Sequence, residues 1–209
     1  SSGLQEMLHS NPAIKAFQVG RSAQAGILSA DMVKLGALGP RSVYEGEHGW
    51  LKAMTDHFRE ADLTGELGSR WEIMDTYTKL YPTCRHCHHA IDLALEWFRE
   101  GVDCERIARI SIRTYSVAAR EVGAAQMPCS VDEAMFSIRF AVALALLVGS
   151  VDMQTIPRML ADPGVRRLVD KMDLVISEAQ DRSYPAERGC EMELVFENGR
   201  SIAKKTRLP

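Results

Sequence analysis

The stretch EMELVFENGRSIAKKTR, Glu191 to Arg207, decides the fold class. Apolar and polar residues alternate on both sides of Asn198-Gly199. Alternation puts every second side chain on one face, as a half-buried strand requires. Asn-Gly is the pair that two-residue type I′ hairpins favour, because both central residues there need positive φ. The stretch therefore predicts two antiparallel strands. Upstream, DLVIS (Asp173–Ser177) and RIARISIRTYSV (Arg106–Val117) read as strands, as does the Thr- and Tyr-rich DTYTKLY (Asp75–Tyr81), which Pro82 ends.

Helical signals lie between these strands. Ile91, Ala94, Leu95 and Phe98 mark one face of a helix over roughly residues 86–99. Ser130 and Glu133 form a capping box for a helix expected to run to about Val148. Asp162-Pro163 is an N-cap followed by proline at the first helical position, ahead of Val165, Leu168, Val169 and Met172. Towards the N-terminus the character is all helical. Residues 21–38 and the segment GEHGWLKAMTDHF (Gly46–Phe58) carry apolar residues at helical spacing. The polar, glycine-bearing READLTGELGSR (Arg59–Arg70) reads as a connection. The fold class expected is α+β: a helical part over residues 1–68, then residues 69–209 with an antiparallel sheet packed on helices.

Composition narrows the function. With 46% apolar residues among 209, a sizeable core is available. A net charge of −3 argues against a nucleic-acid footprint, which needs a basic excess. The N-terminal stretch has no apolar signal region, and the apolar run Phe140–Val148 is too short to span a bilayer. Of the five cysteines only Cys84 and Cys87 are close and the rest are scattered, which fits reduced thiols better than a disulfide framework, so a cytoplasmic protein with no membrane partner is expected.

Cys84-Arg85-His86-Cys87-His88 spells three chemistries at once. C-x-x-C-H is the attachment pattern of c-type haem, half of a zinc site, and a redox dithiol. Haem attachment belongs to exported proteins, and this chain shows no export signal. Zinc needs two more ligands at sensible spacing, and no second pair follows. An iron–sulfur site would have to borrow a distant cysteine with no recognisable spacing. No metal ligand is assigned.

Several segments in order carry a resemblance. NPAIKAFQVGRSAQAGILSA, GPRSVYEGEHGWLKAM, YTKLYPTCRHCHHAIDLALE, DEAMFSIRFAVALALLVG and DPGVRRLVDKM resemble successive blocks of the MmgE/PrpD family. That family includes 2-methylcitrate dehydratase, cis-aconitate decarboxylase and iminodisuccinate epimerase. The resemblance implies a large helical domain, an α+β lid and a homodimer. It implies that this chain supplies the end of the helical domain and most of the lid, as a partial chain. It also implies chemistry on small di- and tricarboxylates without a cofactor.

Such chemistry removes a proton next to a carboxylate, so charge builds on a molecule that is already anionic. Preorganised cations and hydrogen-bond donors are the general answer. The resemblance places Lys15, Lys79 and His88 as catalytic residues, and Arg85 and Gln18 as substrate-binding residues. Gln18 stands where many relatives have histidine. The bland readings are a solvated lysine for Lys15, a polar edge-strand position for Lys79 and a structural histidine for His88. Arg85 has support of its own: it falls at an expected helix N-terminus, where backbone N–H groups favour an anion, and guanidinium binds carboxylate bidentately. His86 and His89 have no counterpart and read as structural. Met135 stands where the family has lysine, which leaves no site role there. The leading expectation is a hydro-lyase. Epimerisation, decarboxylation and a non-catalytic binding module are the alternatives.

Overall fold

The computed structural model describes residues 13–59, 61–124 and 127–208. They form two units. One holds residues 17–78; the other holds residues 79–208 together with residues 13–16.

The first unit is helical. It contains α1 (Ile14–Lys34) from Phe17 onward, α2 (Trp50–Met54), α3 (Ala61–Thr64) and a 3-10 turn at Glu72–Asp75. Gly36, at φ 96°, turns the chain after α1, a conformation that favours glycine. No residue of α1 is buried. The helix expected over Gly46–Phe58 shrinks to the five residues of α2. Thr55 leaves it in an extended conformation, and its hydroxyl accepts from the His57 N–H at 3.2 Å, a local alternative to the next helical turn.

The strand expected at Asp75–Tyr81 does not form. Its Thr and Tyr content favours a strand only where a face can be buried. Here Tyr77, Lys79 and Leu80 are exposed, and Thr76 turns back to bond the Ile73 carbonyl.

The second unit runs α4 (Arg85–Arg99), β1 (Ile107–Thr114), α5 (Ser116–Val122), α6 (Val131–Ala134), α7 (Ile138–Val148), α8 (Thr155–Met159) and α9 (Pro163–Asp170). Then follow β2 (Met172–Ile176), α10 (Glu178–Ser183), β3 (Cys190–Phe196) and β4 (Ser201–Thr206). This is an α+β fold. The sheet order is β2-β1-β3-β4. It is mixed rather than wholly antiparallel: β1 pairs with β3 antiparallel and with β2 parallel, Ile110 lying opposite Leu194 and Met172 respectively. The helices between β1 and β2 carry the chain back to the same end of the sheet, and only such a crossover makes a parallel neighbour.

The β3–β4 hairpin forms where expected, with Leu194 opposite Ile202. Its turn differs from type I′. Gly199 has φ 79°, but Asn198 is not among the positive-φ residues. The Gly199 N–H donates to the Phe196 carbonyl, and the Phe196 N–H donates to the Arg200 carbonyl. A three-residue loop therefore closes the hairpin, with glycine in the left-handed position. The Asn198 side chain caps it by accepting from the Arg200 N–H at 3.0 Å.

One core joins α4 and α7 to β1 and β3. Ile91, Trp97, Ile110, Ile112, Phe140, Leu144, Met192 and Leu194 are all buried in it. The other face of the sheet carries charge, with Arg113 paired to Glu191 at 3.2 Å. Asp162 caps α9 through the N–H groups of Gly164 and Val165. Ser130 caps α6, as the sequence indicated. The helix does not continue to Val148, however. It breaks at Met135, and Ser137 caps a new start at α7. The freed Met135 carbonyl accepts from the Cys84 N–H at 2.7 Å. That bond ties the break to the start of α4.

Candidate functional site

The first turn of α4 collects the candidate residues of the second unit. Cys84 is the N-cap, Arg85 the first helical residue, and His86, Cys87 and His88 follow. No acidic residue stands in this turn. An α-helix N-terminus exposes N–H groups with partial positive charge. Basic side chains are added to that charge here, and an anion is the natural complement.

Lys79 is exposed and its Nζ donates to the Thr83 carbonyl at 3.2 Å, folding the lysine over the Pro82-Thr83 turn that leads into α4. His88 points inward and is 3% exposed. Its ring meets Tyr81 edge-on at 5.0 Å, and the Tyr81 hydroxyl donates to Asp92 at 2.6 Å. The His88 Nε2 is buried and has no hydrogen-bond partner among the described residues. Burial pushes the His88 pKa below the ordinary histidine value, and the Arg85 and Lys79 charges push it the same way. Those three residues therefore share one electrostatic site, and His88 is held neutral in it.

Lys15 belongs to the same unit. Its Nζ lies 4.8 Å over the ring of Phe136, the residue that follows Met135 in sequence. Gln18 lies in the first unit, where its backbone carbonyl accepts from Ser22 Oγ at 3.1 Å.

The geometry adds His86, which the sequence reading set aside, and Tyr115, which it did not single out. The His86 Nδ1 is 2.6 Å from the hydroxyl of Tyr115, the residue that follows β1. Tyr115 is fully buried and stacks on Tyr184 at 4.7 Å. Burial holds the Tyr115 phenol well above its usual range. His86 is pushed down, by burial first and by Arg188 next. A protonated phenol thus meets a neutral imidazole, a contact through which a proton can pass. The sequence signal was slight: an aromatic residue at the end of an alternating strand.

His89 is packed inside the fold. It is fully buried beneath the same turn, its Nδ1 accepts from the Ala90 N–H at 2.8 Å, and its Nε2 lies 3.3 Å from Thr114 Oγ1. It anchors α4 to β1. Cys87 is also fully buried. Among the described residues no group of three or more His, Cys, Asp or Glu side chains is placed to hold a metal ion, and no helix is long and apolar enough to cross a membrane.

A groove elsewhere in this unit lies between the end of α4 and the β3–β4 hairpin. Its Lys204 is already bound by Glu96 at 2.7 Å and Glu100 at 2.5 Å. Its positive charge is matched by two carboxylates, whereas the first turn of α4 holds no acidic residue.

Compared with known families, residues 81–208 match the MmgE/PrpD C-terminal domain. The match covers α4 through β4 and contains Arg85, His86, His88 and Tyr115.

Proposed function

The chain belongs to the MmgE/PrpD family, and from that membership we propose that it acts as a cofactor-independent hydro-lyase on a small di- or tricarboxylate of the 2-methylcitrate kind. Residues 1–68 are read as part of the helical domain and residues 69–209 as the lid. The exposed apolar residues of α1, such as Ile27 and Leu28, support the first assignment, since they suit a helix that packs on more protein. The working form is read as a cytoplasmic homodimer.

The observation that carries the proposal is the gathering of the Arg85 and Lys79 charges around His88 at the N-terminus of α4, in a first turn that holds no acidic residue. Arg85 and the helix N-terminus would hold a substrate carboxylate, with Lys79 as a second cation. Lys15 as a catalytic residue and Gln18 as a substrate-binding residue remain the roles that the family resemblance implies. His88, held neutral with an open Nε2, suits abstraction of the proton next to that carboxylate. The pair of His86 and Tyr115 suits delivery of a proton to the departing hydroxyl. Each cation that meets charge developing in the transition state lowers the barrier more than it tightens substrate binding.

The test is a product screen. The full-length protein is incubated with 2-methylcitrate, cis-aconitate and iminodisuccinate, and products are followed by NMR. Loss of water from 2-methylcitrate supports the proposal. Turnover confined to iminodisuccinate or cis-aconitate replaces dehydration with epimerisation or decarboxylation. No turnover of any of them removes the carboxylate reading.

A further inference from the structure

The C-x-x-C pair is not used by the carboxylate reading. Cys84 is the N-cap of α4 and Cys87 lies one turn on. The Cys87 N–H donates to the Cys84 carbonyl at 2.9 Å. A turn closed in this way keeps the outer Cα atoms within about 7 Å, inside the reach of a disulfide. Both thiols are free, Cys84 half-buried and Cys87 fully buried. Each sulfur lies in the field of its neighbours. Cys84 follows burial as a cause of the upward push on the Cys87 thiol, and both sulfurs act on the Tyr115 phenol. The remaining cysteines, Cys104, Cys129 and Cys190, are isolated in sequence from any second cysteine.

We propose that Cys84 and Cys87 form a modification site, a thiol pair that a peroxide closes reversibly into a disulfide. In the first step the Cys84 sulfur, as thiolate, attacks one peroxide oxygen. The O–O bond breaks, Cys84 becomes a sulfenic acid, and the other oxygen leaves as water after taking up a proton. In the second step the Cys87 sulfur attacks the Cys84 sulfur. The S–O bond breaks and hydroxide leaves, taking the Cys87 thiol proton to form a second water. The two thiols lose two electrons and the peroxide gains them. Burial that keeps the Cys87 thiol protonated leaves it idle until the sulfenic acid appears beside it.

Arg85 and His86 lie inside the ring that this bond closes. The disulfide locks the first turn of α4 and the pose of both side chains. Formation of the bond does not depend on the carboxylate reading; its effect on turnover does.

The experiment uses the reduced full-length protein, freed of reductant and treated with hydrogen peroxide. Remaining thiols are blocked with iodoacetamide, and tryptic peptides are mapped by mass without reduction. Trypsin cuts after Arg85, so the bond appears as two peptides held together. The expected result is that joined pair, lighter by two hydrogens than its parts, and separated by dithiothreitol. Sulfinic or sulfonic acid at Cys84 with alkylated Cys87 would overturn the proposal. So would two alkylated thiols, or a bond from Cys84 to Cys129. This map is read whether or not the protein turns over any acid, so its failure and the failure of the proposed function are separate results.

Discussion

Replacing His89 by glutamine should change how stability depends on pH. His89 is fully buried under the first turn of α4, and burial holds its pKa at about 3. In the unfolded chain it returns to about 6.5. The unfolded chain therefore takes up the proton first as the pH falls. Its stabilising effect is fully present above 6.5 and is lost progressively as the pH drops from 6.5 towards 3. At pH 5 the unfolded chain is favoured over its neutral-pH balance by about 2 kcal/mol, from roughly 1.4 kcal/mol per pH unit over the interval below 6.5. His86 and His88 are depressed too and add to the same trend. Subtracting the His89→Gln variant isolates the share of His89. Urea denaturation of both proteins at pH 7 and pH 5 gives the numbers. The wild type should lose about 2 kcal/mol more than the variant between those two pH values. Equal losses, within about 0.5 kcal/mol, would refute the burial argument, as would an NMR titration of His89 near its unfolded value.

Other changes test other parts of the account. Asp162→Ala removes the acceptor for the Gly164 and Val165 N–H groups and should cost about 1–2 kcal/mol in a urea melt. Gly149→Ala puts a side chain at φ 75° and a Cβ against the Phe98 ring. The backbone alone should cost about 1–2 kcal/mol, read by the same melt. Lys79→Ala removes one of the charges that depress His88. The NMR titration of His88 should move to higher pH, and no movement would separate the two residues.

The α+β class was legible because it rests on patterns that survive tertiary context. The alternation around Asn198-Gly199 has one face to bury, and Asp162-Pro163 joins a capping acceptor to a proline already shaped for the first helical turn. Three readings failed where context decided. DTYTKLY has strand composition but no partner strand. Asn198 had the residue type for a type I′ turn, but the hairpin closed with one residue more. The helix expected through Met135 breaks because its carbonyl binds Cys84, far off in sequence. The parallel pairing of β1 with β2 was hidden for the same reason, since a crossover leaves no local mark. At the candidate site, Arg85 was legible from its place at a helix start. The closeness of His86 to Tyr115 was not, because the two residues lie on different elements and meet only through packing.

The central claim is that the α4 N-terminus supports proton removal next to a substrate carboxylate. Deuterium exchange tests it most directly. The full-length protein is held in heavy water with 2-methylcitrate or iminodisuccinate, and wash-in at the carbon beside the carboxylate is followed by NMR. The account predicts wash-in for the wild type and a fall of at least about tenfold in both Lys79→Ala and His88→Ala, as expected when a general base or a charge-assisted contact is lost. Wash-in at the wild-type rate in both variants would contradict it.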